Sequence, residues 1–122
     1  MINPISWFEI PVNDMDRARK FYEKVFEIEM RVQDFGNLLM GWFPQDLNQY
    51  GSGGTLVKAK TYTPSYEGAM VYFYSEEIDD VLPRIEEAGG KVINPKTSIG
   101  EYGFVAHFED SEGNRVALHQ RP

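Results

Sequence analysis

WFEIPVNDMDRARKFYEKVF, residues 7–26, changes its period halfway along. Over Ile5–Val12 the side chains alternate, with Phe8, Ile10 and Val12 on one face and Trp7 and Glu9 on the other, as in a strand with one apolar side. Asn13 and Asp14 then supply helix N-cap chemistry, because a short oxygen-bearing side chain accepts from the free N–H groups of a first turn. Beyond them Met15, Ala18, Phe21/Tyr22 and Val25/Phe26 recur at helical spacing, while Asp16, Arg17, Arg19, Lys20, Glu23 and Lys24 fill the other positions. The stretch is a strand running into an amphipathic helix whose apolar stripe turns to a sheet.

Strand-like runs follow at 28–32, 38–43 and 55–59. The turn-rich stretch 44–54 between the last two is long enough for a lid and equally fits a hairpin connection. Residues 60–68, with Pro64, form the connector to a second half that repeats the plan. There, 69–74 is a strand, and Ile78, Val81/Leu82, Ile85 and Ala88 make a helical stripe ending at Gly89 and Gly90. Pro83 removes a backbone donor inside that helix and predicts a kink or a short first turn. Runs at 91–93, 103–109 and 115–119 complete the half, with a turn over 110–114.

A shift of 63 residues sets Trp7 on Met70, Glu9 on Tyr72, Asp14 on Glu77, Met15 on Ile78 and Val25 on Ala88. What matches is the order of strand, cap and stripe, so each half is one supersecondary unit burying surface against its twin. The expectation is one α+β domain over residues 1–122, with modules at about 1–60 and 69–122 and a connector at about 60–68.

At 122 residues the chain can bury a real core without disulfides. Its 12 Lys and Arg against 19 Asp and Glu leave a net charge of −7, which disfavours nucleic acid and would draw in a cationic ligand. With no cysteine, disulfides, thiolate nucleophiles and zinc-thiolate sites are excluded. No leader-like N-terminus or long apolar run is present, so the expectation is a cytoplasmic protein without a membrane partner. Neither G-x-S-x-G nor a phosphate-binding loop occurs.

Three segments in order carry a family resemblance: V-x-D-x-x-x-A-x-x-F-Y over 12–22, E-A-G-G-K-V over 87–92, and D-x-x-G-N over 110–114. Together they resemble the vicinal oxygen chelate superfamily, which includes glyoxalase I, bleomycin-resistance proteins, extradiol dioxygenases and fosfomycin-resistance enzymes. The resemblance implies two tandem βαβββ modules forming a curled, cup-like mixed sheet, with helices outside and ligand inside. It also implies that Trp7 and Glu9 face the cup. In metal-using relatives four strands each present a His, Glu or Gln to one divalent ion. Carried over, those positions fall on Trp7, Met70, Ala117 and, for the fourth, near Val57 or Lys58, none a usual ligand for such an ion. No metal residues and no cofactor are expected, and a divalent metal remains an alternative only at a displaced site.

The first functional reading is therefore a binding protein like the bleomycin-resistance proteins, holding a small organic ligand, cationic or aromatic, without metal, in a homodimer as many relatives are. Its ligand-binding candidates are Trp7, Met70, Tyr72, Tyr74, Lys58 and Trp42, with Met40 a further wall residue. Lys58, if inward, would meet an anionic group. The second reading is a lyase, isomerase or dioxygenase-type enzyme using Glu9 and His119, each two residues beyond a carried-over position and so on the same strand face. They would act as an acid-base pair or as a displaced metal site. Against it stand a surface histidine near the C-terminus and a rim carboxylate paired with a nearby cation. A third reading is a degenerate domain with a filled cup and an interaction role. His107, Tyr102 and Glu101 receive no role, because the facing of their strand is open at this level.

Overall fold

The computed structural model describes residues 3–122. The first module runs β1 (Trp7–Pro11), α1 (Met15–Phe26), β2 (Arg31–Asp34), β3 (Leu38–Trp42) and β4 (Gly53–Ala59). The second runs β5 (Tyr72–Tyr74), α2 (Ile78–Glu87), β6 (Lys91–Ser98), β7 (Phe104–Glu109) and β8 (Arg115–Gln120), with a single 3-10 turn at Gly100–Tyr102. Each module builds a four-stranded mixed sheet, ordered β1-β4-β3-β2 and β5-β8-β7-β6. In each, the strand before the helix pairs in parallel with the last strand of its module.

The duplication is visible in the caps. Asp14 and Glu77 are the N-cap residues of α1 and α2, and the helices start at Met15 and Ile78, so the 63-residue shift holds to the residue. Asp14 accepts from the Arg17 N–H, whereas Glu77 makes no side-chain cap and the Ile78 N–H is taken instead by the Gln120 side chain of β8 at 2.8 Å. α2 passes through Pro83 and ends at Glu87, as its buried face of Ile78, Val81 and Ile85 holds it to the sheet.

Three strand limits differ from the sequence expectation by three residues or more, and of these β5 begins at Tyr72 rather than at residue 69. β2 begins at Arg31 rather than Ile28, because the chain leaves α1 through a left-handed Glu27 (φ 55°) and Glu23 accepts the Met30 N–H before pairing starts. β6 runs to Ser98, past Pro95, which an edge strand tolerates because one N–H side needs no partner; register shifts flank Asn94.

One core serves both modules. Phe73 of β5 packs against Phe26 of α1 (ring centroids 4.7 Å), Phe43 (5.4 Å), Tyr22 (5.8 Å) and Phe8 of β1 (5.9 Å). Ile10, Val12, Leu56, Ile85, Phe108 and Leu118 belong to the same buried cluster. Packing at the sheet is tight enough that a Cβ on Gly54 would lie 2.3 Å from the Phe8 ring. The helices that lie outside each sheet thus meet inside the chain, and the opposite, helix-free faces of the two sheets point away from each other.

Candidate functional site

Strand registers fix what each helix-free face presents. Glu9 pairs with Thr55 and Pro11 with Val57, while Met40 pairs with Val57 and Trp42 with Thr55. The first face therefore carries Trp7, Glu9, Met40, Trp42, Thr55 and Val57, opposite the core side chains Phe8, Ile10 and Leu56. On the second sheet Tyr72 and His107 flank Ala117, and Tyr74 and Val105 flank His119.

The second face is open. Tyr72 and Tyr74 are 48% and 51% exposed, and with Ile99, Val105 and His119 they line a cavity of about 400 Å³. His119 Nε2 lies 2.8 Å from the Tyr102 carbonyl, which can only accept, so Nε2 carries the proton and the neutral ring keeps its lone pair on Nδ1. His107 stands between the Tyr72 hydroxyl (3.3 Å) and the Asn94 amide (3.2 Å). Its burial, and then the Arg115 charge, lowers its pKa below the ordinary histidine value. Arg121 lies over the Tyr74 ring at 5.2 Å. The first face is more closed: the Trp7 and Trp42 rings meet edge to face at 5.2 Å.

The sequence candidates divide accordingly. Trp7 and Trp42 come together on one sheet, and Tyr72, Tyr74 and His119 on the other, with Met70 half-buried two residues before β5. Lys58 is exposed on the other side of β4 from Thr55 and Val57, in a groove with Val12, Asn13 and Asp34, so it does not face inward to the cup. Glu9 and His119 are not brought together. Glu9 accepts from the Tyr62 hydroxyl at 2.6 Å, on a face directed away from that of His119, so one chain forms no acid-base pair from them. The stretch 44–54 packs its Gln45 side chain over Gly53.

Two polar residues of these faces were given no role by the sequence reading. His107 was recoverable from alternation, since Ala106 and Phe108 are core and place it on the opposite face. Thr55 was recoverable from symmetry: Glu9 is to Thr55 as Tyr72 is to Ala117 in the paired registers, so the fourth carried-over position falls on Thr55 rather than near Val57 or Lys58. Indole, thioether, methyl and hydroxyl groups at the four positions do not fit a divalent ion that takes imidazole and carboxylate. Among the described residues no group of three or more His, Cys, Asp or Glu could hold one.

Two tandem strand-helix-strand modules with parallel end-strand pairing, a shared core and a helix-free face on each sheet define a duplicated βαβββ protein. The chain belongs to the Glyoxalase/Bleomycin resistance protein/Dioxygenase superfamily, whose family model matches residues 4–118. It is 28% identical over 122 residues to a glyoxylase-like domain-containing protein of Didymella fabae, covering 97% of this chain and 94% of that one. Among solved structures, glyoxalase I from Zea mays matches with a TM-score of 0.74 at 20% identity, covering 96% of this chain and 46% of the maize protein, so the chain spans about half its length. TnmS3, an antibiotic binding protein from Streptomyces sp. CB03234, matches with a TM-score of 0.71 at 24% identity, covering 99% of this chain and 98% of that one. Among the described residues no helix is long and apolar enough to cross a membrane.

Proposed function

We propose that this chain binds a flat, largely apolar organic molecule without the family's divalent ion, in a cup that a second copy of the chain completes. The observation that carries the reading is the outward direction of the two helix-free faces. One presents Trp7 and Trp42, the other the half-exposed Tyr72 and Tyr74, and a single sheet covers only one side of a ligand. Small-molecule sites enclose most of their ligand, so the first face of one copy opposite the second face of another supplies the missing wall. Aromatic walls favour a planar ligand, and the net charge of −7 favours a cationic one over an anionic one. The donor set at the carried-over positions supports binding without a metal, and the likeness to TnmS3, an antibiotic binding protein, supports an organic ligand.

Sedimentation velocity across a dilution series, paired with a thermal-shift screen of cationic glycopeptides, aromatic acids and glutathione adducts, tests this. A concentration-dependent dimer stabilised by members of the panel is expected, since a ligand that binds only the folded state stabilises in step with its occupancy. A monomer at every concentration with no shift across the panel would overturn it.

A further inference from the structure

Two buried polar atoms on the first sheet's helix-free face have no hydrogen-bond partner among the described residues: the Trp42 indole Nε1 and the Thr55 hydroxyl. Their residues are cross-strand neighbours on β3 and β4, and Thr55 has no exposed surface. Because β4 lies between β1 and β3, the Trp7 and Trp42 rings can meet at 5.2 Å only by leaning over β4. Thr55 therefore lies under an indole roof, and the Gln45 side chain closes the roof's end over Gly53. Buried donors in native proteins are almost always satisfied, and one left free destabilises the fold. Trp42 and Thr55 stand side by side across the strands, and the indole can be satisfied only by an acceptor, which the hydroxyl can share as a second donor.

We infer that Thr55 and Trp42 form a two-donor seat for a carbonyl oxygen of the ligand; this rests on the cup-binding reading above and adds the ligand's chemical class. An indole N–H can only donate, a hydroxyl can donate, and a carbonyl oxygen has two lone pairs to receive both. An ammonium could satisfy the hydroxyl alone, so the seat selects a ligand that carries an acceptor. Thr55 stands at the fourth carried-over position, where a hydroxyl donor takes the place of an ion ligand. Entry needs the half-buried Trp7 ring to swing off Trp42, which exchanges one aromatic edge contact for a ligand ring in the same place.

The test uses the whole protein, with two naphthalene probes followed by quenching of its two tryptophans, both of which lie at the seat. The probes are 2-acetylnaphthalene, which offers a carbonyl, and 2-naphthylmethylammonium, which offers only donors. Thr55→Val keeps the shape and removes the hydroxyl. It is expected to weaken the ketone roughly 2- to 12-fold, to leave the ammonium within about twofold, and Thr55→Ser is expected to restore ketone binding. The ligand-free Thr55→Val protein is expected to melt roughly 2–6 °C higher, because an unmet buried group is gone. Unchanged ketone binding in Thr55→Val, equal weakening of both probes, or a lower ligand-free melting temperature would overturn the seat while leaving the cup standing. A wild-type protein that binds neither probe removes the cup reading itself and the seat with it.

Discussion

The Tyr22 hydroxyl of α1 donates to the Asp110 carboxylate at 2.6 Å, joining the first module's helix to the second module's last turn across 88 residues. Asp110 also accepts from the Glu112 and Asn114 N–H groups and from the Asn114 amide. Gly113, at φ +92°, lets the chain turn back toward β8. One buried carboxylate therefore closes the turn and locks the modules together. Burial, and then the Asp110 charge, holds the Tyr22 phenol well above its usual range, so it stays a donor at any ordinary pH.

Tyr22→Phe keeps the ring in the aromatic core and deletes only this donor. The expected loss is about 1–3 kcal/mol of unfolding free energy, since Asp110 stays buried with one partner fewer. Urea denaturation measures it, and a midpoint equal to wild type would show that the bond does not hold the modules.

Glu112 ties the same turn to the start of α1. Its side chain has no exposed surface and accepts from the Asn13 and Asp14 N–H groups and from Arg17 at 2.7 Å. Burial alone would push its carboxyl up, but Arg17 and then the two N–H groups bring it below the ordinary value of 4.5. Its stabilisation is therefore complete above 4.5 and is lost as pH falls through the lower folded-state pKa. Glu112→Gln is expected to lose about 1–2 kcal/mol at neutral pH and to show a flatter stability curve below pH 4.5. Identical acid slopes for the two proteins would contradict this.

Gly54→Ala places a methyl group 2.3 Å from the Phe8 ring and forces that ring off the core. Overpacking of this kind costs about 1–3 kcal/mol. A melting temperature within a degree of wild type would mean that Phe8 has another place to go.

Ring-proton titration by NMR should place His107 below the usual histidine range, because burial and then Arg115 both oppose its charge. Arg115→Gln removes the second cause and is expected to move the midpoint upward. A midpoint that stays put would assign the whole shift to burial, and one that falls would contradict the part given to Arg115.

Much of this protein was legible in local pattern. Asp14 and Glu77 occupy the N-cap positions of their helices at the shift read from sequence, though only Asp14 makes a side-chain cap bond, and the alternation of Phe8, Ile10 and Val12 against Trp7 and Glu9 is the division between core and helix-free face. These features follow from side-chain period and capping chemistry, which neighbouring residues set. The rest depended on which surfaces meet. Pro95 lies within β6 because that strand is an edge, and Thr55 holds the fourth position because β4 pairs with β1 in one register. Glu9 and His119 are kept apart because Phe73 brings the two helix-covered faces into one core, turning the other faces outward. Burial of those aromatic rings is a contact between distant segments, and no local period encodes which distant face a ring will meet.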